Sequence, residues 1–178
     1  MMAIEILSRQ TKDTYQWIHK LVDSIPEEKW NETPEILASN VSWQIGHLVI
    51  SIYYHSILVI SGHQKDILEQ VPIKKYSELY SFYSSPKDAA GRLTPKELKS
   101  HLEIIEKKSQ EIINSLTPEE LKNELVPGKV EHPVAKTKFE AIDWNIKHTM
   151  WHCGQIASLK RILGEPYKFE LKEVENLD

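Results

Sequence analysis

Apolar side chains recur along this chain at steps of three and four. Ile4, Leu7, Thr11, Thr14, Ile18, Leu21 and Ile25 form one such row. Val41, Ile45, Leu48, Ile52, His55 and Val59 form a second, and Leu98, Leu102, Ile105, Ser109, Ile112 and Leu116 a third. Phe139, Ile142, Ile146, Thr149, Cys153 and Ile156 form a fourth. On a helix each row is a stripe that other helices must cover. Alternation of apolar and polar residues over six positions, the mark of a half-buried strand, is not found. The pattern therefore predicts an all-α protein, with a four-helix bundle as its simplest arrangement.

Capping chemistry places the helix starts. Thr94-Pro95-Lys96-Glu97, Thr117-Pro118-Glu119-Glu120 and Thr137-Lys138-Phe139-Glu140 each set a threonine three residues before a glutamate, the pattern of a capping box. Asn40 or Ser39 can cap the second long helix, Gly62 can end it, and Gly164 with Pro166 can end the last. The connections are uneven. Roughly 30 residues, Gln64 to Leu93, separate the second and third long helices, and such a length implies a crossover or a functional lid. This stretch carries Tyr76, Tyr80, Phe82 and Tyr83, read first as packing back on the bundle and second as covering a pocket. Between the third and fourth, a short helix from Pro118 to about Glu124 and a loop with Pro127, Gly128 and Pro133 are expected. No linker divides the chain, so residues 1–178 read as one domain with a core of about 5–166.

Composition narrows the functional classes. The chain has 178 residues, 22 basic and 26 acidic side chains and a net charge of −4, which argues against binding nucleic acid or an anionic membrane by bulk charge. Val41 to Ile60 is apolar but carries Ser42, Gln44, His47, Ser51, His55 and Ser56, so it reads as a buried helix and not as a membrane span. Glu5 and Arg9 interrupt the apolar core a signal peptide would need, and Cys153 is the single cysteine, which suits a reducing cytoplasm.

The eight histidines carry the candidate chemistry. His148 and His152 are four apart, which on a helix is 40° after one full turn and a rise of about 6 Å, so both imidazoles can reach one ion. Asn145, His148, His152 and Gln155 form a polar stripe on this helix. On the second helix Gln44, His47, Ser51 and Tyr54 make a matching polar face. His47 is a candidate third ligand and His55 its competitor. The two are about 80° and 12 Å apart on a regular α-helix, so they cannot easily share an ion. Three neutral histidines would leave coordination positions open, as catalytic sites do. The opposing reading is a set of hydrogen-bonded core histidines. No phosphate-binding glycine loop, nucleophile elbow or pair of catalytic carboxylates is present.

WQIGHLVISIYYH in the second helix and HTMWHCGQIASLKRILGEP in the last, with SIPEEKWNETP after the first, resemble the DinB-like superfamily, close to its YfiT-type and DinB_2 members, from about residue 5 to 166. The resemblance implies a DinB-like four-helix bundle with long connections after its second and third helices. It also implies one divalent ion on His47, His148 and His152. Neutral imidazoles suit zinc, nickel, iron or copper, with manganese a further candidate. Relatives include metal-dependent hydrolases of unassigned substrate and transferases that use a low-molecular-weight thiol such as bacillithiol. The activity expected is therefore hydrolysis or thiol-dependent S-transfer on a small molecule; the alternative is a non-catalytic bundle whose histidine site serves stability or partner binding.

Other expectations are narrower. Gln44, Asn145 and Gln155 are candidates to orient the ligand rings, and Tyr54 to touch a substrate. Lys147, Lys160 and Arg161 could hold a thiol cofactor's carboxylates but read first as a solvated helix face. Cys153, 100° from His152, is expected in the core, and His19, His63, His101 and His132 at exposed or loop positions without a function. The resemblance and the apolar surfaces of Trp17, Trp30 and Trp151 together suggest a homodimer.

Overall fold

Each of the four apolar rows runs along a helix in the computed structural model of the protein, which describes residues 3–128 and 131–169. In chain order the helices are α1 (Ala3–Asp23), α2 (Val41–Ser61), α3 (Lys65–Gln70), α4 (Ile73–Tyr80), α5 (Pro86–Ala89), α6 (Pro95–Ser115) and α7 (Lys138–Leu163). Among the described residues there is no strand, only an isolated bridge between Glu124 and Thr137. The long helices are α1, α2, α6 and α7. Both α1 and α2 pack against α6 and α7, so α1 and α2 stand diagonally and the connection between them crosses the end of the bundle.

The helix starts follow the capping chemistry. Thr94 and Thr137 form complete capping boxes with Glu97 and Glu140. Asn40, not Ser39, caps α2: its side-chain oxygen accepts from Trp43 N at 2.8 Å, and its amide donates to Thr33 Oγ1 and Pro86 O. The third box closes as well, with Glu120 N donating to Thr117 Oγ1 at 3.2 Å, but a 3-10 turn over Glu120–Lys122 replaces the expected helix to residue 124. Asn123 is already extended there, and its carbonyl accepts from Lys138 N, which fastens the connection to the start of α7.

The 64–93 connection joins neighbouring helices, so its length serves no crossover. It folds into α3, α4 and α5. Tyr76 and Tyr80 of α4 are fully buried beside α2, while Phe82 and Tyr83 stand in solvent. The aromatic group therefore divides, two rings in the core and two outside. By length and composition alone α2 could cross a bilayer, yet 72% of its most apolar window is buried in the bundle, where its apolar side chains meet protein.

Two local features of α2 matter below. Residues Tyr54–Leu58 form a π-helical turn, a distortion that often accompanies functional sites. Gly46 lies so close to the Tyr80 ring that a Cβ would fall 2.3 Å from it; only glycine permits α4 to pack there.

Candidate metal centre

The polar faces of α2 and α7 meet inside the bundle. His47 from α2 and His148 and His152 from α7 bring one ring nitrogen each within 4.8 Å of the others. Between the two α7 histidines the Nε2 atoms are 3.2 Å apart. Two nitrogens bound at 2.0–2.1 Å to one tetrahedral ion stand about 3.3 Å apart, so this spacing suits a shared ion.

The opposite ring nitrogens are held from outside. His47 Nδ1 donates to the carbonyl oxygen of Tyr80 at 2.8 Å, which fixes the proton on Nδ1 and leaves Nε2 as a lone pair. His152 Nδ1 donates to Gln44 Oε1 at 2.6 Å. The Gln44 amide nitrogen donates to Gln155 Oε1 at 2.7 Å and to Ser39 Oγ at 2.9 Å, so its oxygen must face His152. His148 Nδ1 lies 2.9 Å from Ser51 Oγ, which accepts from it when His148 Nε2 is a lone pair. Each imidazole thus has a partner that orients it for a ligand at Nε2.

Burial sets the charge state. It lowers His47 below the usual histidine range, although the bond to Tyr80 works the other way. It carries His148 down to about 4 and His152 to about 2, with the neighbouring imidazoles adding to the fall. All three are neutral at pH 7, the form that binds metal. Among the described residues no carboxylate or ammonium contributes to these shifts. The donor set is wholly uncharged, and it fits a borderline divalent ion such as zinc, nickel, iron or copper.

Aromatic rings wall the cluster. Trp43 stacks on His47 with centroids 4.9 Å apart and planes 10° from parallel, and its indole N–H donates to Ser84 Oγ at 2.9 Å. Trp144 stacks on His148 at 5.8 Å. Trp43, Trp144 and Tyr54 are half-buried. Tyr54 stacks on His132 at 5.4 Å, 3° from parallel.

The structure brings His47, His148, His152, Gln44 and Gln155 together. Asn145 is elsewhere: its amide donates to Tyr15 OH at 3.1 Å, and Tyr15 OH pairs with Ser109 Oγ in the bundle interior. Cys153 is buried, and its thiol is pushed up to about 12, so it stays protonated. Lys147 pairs with Asp143 and Lys160 donates to Ser24 O, so both are engaged on their own surfaces. The four histidines expected to be idle have partners: His19 with Glu106, His63 with Tyr53, His101 with Tyr76 and His132 with His55.

His55 keeps to the buried row of α2 and stays outside the triad. It is nearly buried and its ring lies 5.5 Å from that of His148. The π turn begins at Tyr54, one residue before His55, so a regular α-helical count from His47 no longer applies strictly there. No periodicity argument foresees such a turn. The carbonyl of Tyr80 is also invisible in the sequence, because backbone atoms carry no residue signature. Trp43 and Trp144, each four positions before a ligand histidine, could have been found by that spacing.

The sequence profile of the DinB superfamily matches residues 10–156. No curated protein matches the chain. A crystal structure from Enterococcus faecalis, described only as a conserved protein, shares the fold with a TM-score of 0.70 at 15% identity. It covers 92% of this chain and 98% of its own.

Proposed function

The chain belongs to the DinB superfamily, and on that footing we propose that it is a metal-dependent enzyme acting on a small molecule, with His47, His148 and His152 as the ligands. One observation carries this reading: three neutral imidazoles converge while each opposite nitrogen is held by Tyr80 O, Ser51 or Gln44. Three protein ligands leave a position for a reactant, as in catalytic sites. A divalent ion bound there supplies Lewis acidity that makes a water or a thiol acidic near pH 7.

The chain's own groups shape which reactant fits. The uncharged donor set does not neutralise a divalent cation, which favours an anionic partner. Trp43, Trp144 and Tyr54 give that partner apolar walls. The reaction class is hydrolysis or thiol-dependent transfer. Among the described residues no carboxylate acts on the triad, which favours a thiol, whose ionised form needs no general base. The single buried cysteine suits a reducing cytoplasm. A homodimer is part of the proposal, with exposed Trp151 of α7 at its interface.

One observation favours the non-catalytic alternative: His152 and His148 can bond to each other directly, so the cluster can satisfy itself as a polar core. The deciding experiment is metal analysis of the purified protein followed by cobalt substitution. A visible spectrum that changes with a low-molecular-weight thiol or azide supports the enzyme. A spectrum unmoved by thiol, azide or other small ligands leaves the structural bundle as the better account.

A further inference from the structure

A second imidazole pair adjoins the triad. His55 comes from the π turn of α2 and His132 from the connection before α7, and His55 Nδ1 lies 2.7 Å from His132 Nε2. The backbone decides which atom donates. His132 Nδ1 accepts from Ala135 N at 2.9 Å and Val134 N at 3.3 Å, so it carries a lone pair. The proton of neutral His132 is then on Nε2, and it must be given to His55 Nδ1. His55 Nδ1 is therefore an acceptor, and the proton of His55 is on Nε2. The assignment is unique, because a proton on His55 Nδ1 would leave His132 with no ring proton at all.

His55 Nε2–H has no acceptor among the described residues, and although the side chain is only 7% exposed, this atom keeps contact with solvent. A donor with a fixed tautomer, no protein partner and access to solvent is open to a ligand that can accept from it. Within the ring, Nε2 points away from His132. The ring meets that of His148 edge to face at 69°. Tyr54 packs against both members of the pair, with centroids 5.1 Å from His55 and 5.4 Å from His132, and holds their geometry.

We infer that the His55–His132 pair is an anion-binding element, in which His55 Nε2–H donates to the charged atom of a small ligand at the open side of the triad. The ligand class is a compact anion, or the anionic head of a molecule whose apolar body lies along Trp43, Trp144 and Tyr54. The inference rests on the metal reading above and adds a second, non-metal anchor for the same ligand. His132 is the positioning residue: without its Nε2–H, His55 can take the other tautomer and withdraw the donor.

Two measurements test it. Nitrogen-15 NMR of the metal-free protein at pH 7.5 should show His55 and His132 both protonated on Nε2. Azide titration of the cobalt protein should then show about tenfold weaker binding in His55→Phe, as expected for losing a hydrogen bond to a charged atom, at unchanged cobalt per chain. His132→Phe, which leaves His55 in place, should weaken azide in the same direction and covers the case that His55→Phe does not fold. A proton on His55 Nδ1 overturns the inference whatever the metal does. Unchanged azide affinity in either folded, cobalt-loaded variant overturns it alone, with water as the donor's only acceptor. Failure of the unsubstituted protein to bind cobalt overturns the metal reading and this one with it.

Discussion

Gln44 is the side chain on which the centre's order turns. It is fully buried, and its oxygen faces His152 only because Gln155 and Ser39 take its nitrogen. Gln44→Leu should keep the volume and lose the acceptor, weakening metal binding about 10–100-fold in chelator competition. Alanine at His47, His148 or His152 should remove most bound metal, whereas His55→Ala should leave it. Loss of metal in His55→Ala with retention in His47→Ala would show that the third ligand is misassigned. Gly46 acts one step further out. Gly46→Ala would place a methyl 2.3–2.6 Å from the Tyr80 ring, so the ring must shift, and its carbonyl holds His47. A stability loss of about 1–3 kcal/mol in denaturant unfolding and weaker metal binding are expected together. Normal metal affinity in a destabilised Gly46→Ala protein would separate Tyr80 packing from His47 orientation.

At the scale of elements, the helix starts offer a graded test. Thr94 is a surface cap, and Thr94→Ala should cost about 1 kcal/mol. Asn40 has the same capping role but is fully buried and also ties Thr33 and Pro86 to the start of α2. Asn40→Ala should therefore cost about 2–3 kcal/mol, since it leaves buried polar groups without partners. Equal losses for the two, read by urea unfolding, would mean that the bonds to Thr33 and Pro86 add nothing. The capping boxes were legible because a threonine and a glutamate at fixed spacing act locally. The 3-10 turn at Glu120–Lys122 was not, because the end of that element is set by Asn123 pairing with Lys138, fifteen residues away.

For the whole molecule, pH is the most informative variable. His47, His148, His152, His55, His132 and His101 all resist protonation in the fold. The unfolded chain binds protons below about 6.5 and the folded one does not, so these groups withdraw stability as pH falls below 6.5. His148 continues to do so down to about 4. The His19–Glu106 pair has the opposite sign. His19 is raised chiefly by its bond to Glu106, and Glu106 by burial, so both favour the fold at lower pH and lose that effect as pH rises through their folded values. Six groups against two should leave the metal-free protein melting several degrees lower at pH 5 than at pH 7.5. Equal melting temperatures would mean that the cluster is not held neutral. Association is tested separately. Trp30 is fully buried and Trp17 packs on Tyr167 and Phe169, so of the three tryptophans first considered for an interface Trp151 remains, 65% exposed. Light scattering should give a dimer mass, and Trp151→Arg a monomer; a monomer before substitution would remove the dimer from the proposal.

The sequence alone carried the four long helices, their capped starts and the helix faces that bear His47, His148 and His152. Those features repeat at the helical period or act within one turn, so local spacing carries them. It also placed Gln44 and Gln155 on the right faces, since a side chain's face follows from its position. Tertiary structure alone decided what the faces meet. The pairing of α2 with both α6 and α7 put His47 opposite His148 and His152. The approach of α4 to Gly46 supplied a carbonyl for His47. The same polar stripe that carries His148 and His152 sent Asn145 to Tyr15, because the surroundings change within one turn of α7. His55 and His132 are 77 residues apart and meet through a π turn and a loop bond, so their pairing depends on contacts that no local period encodes.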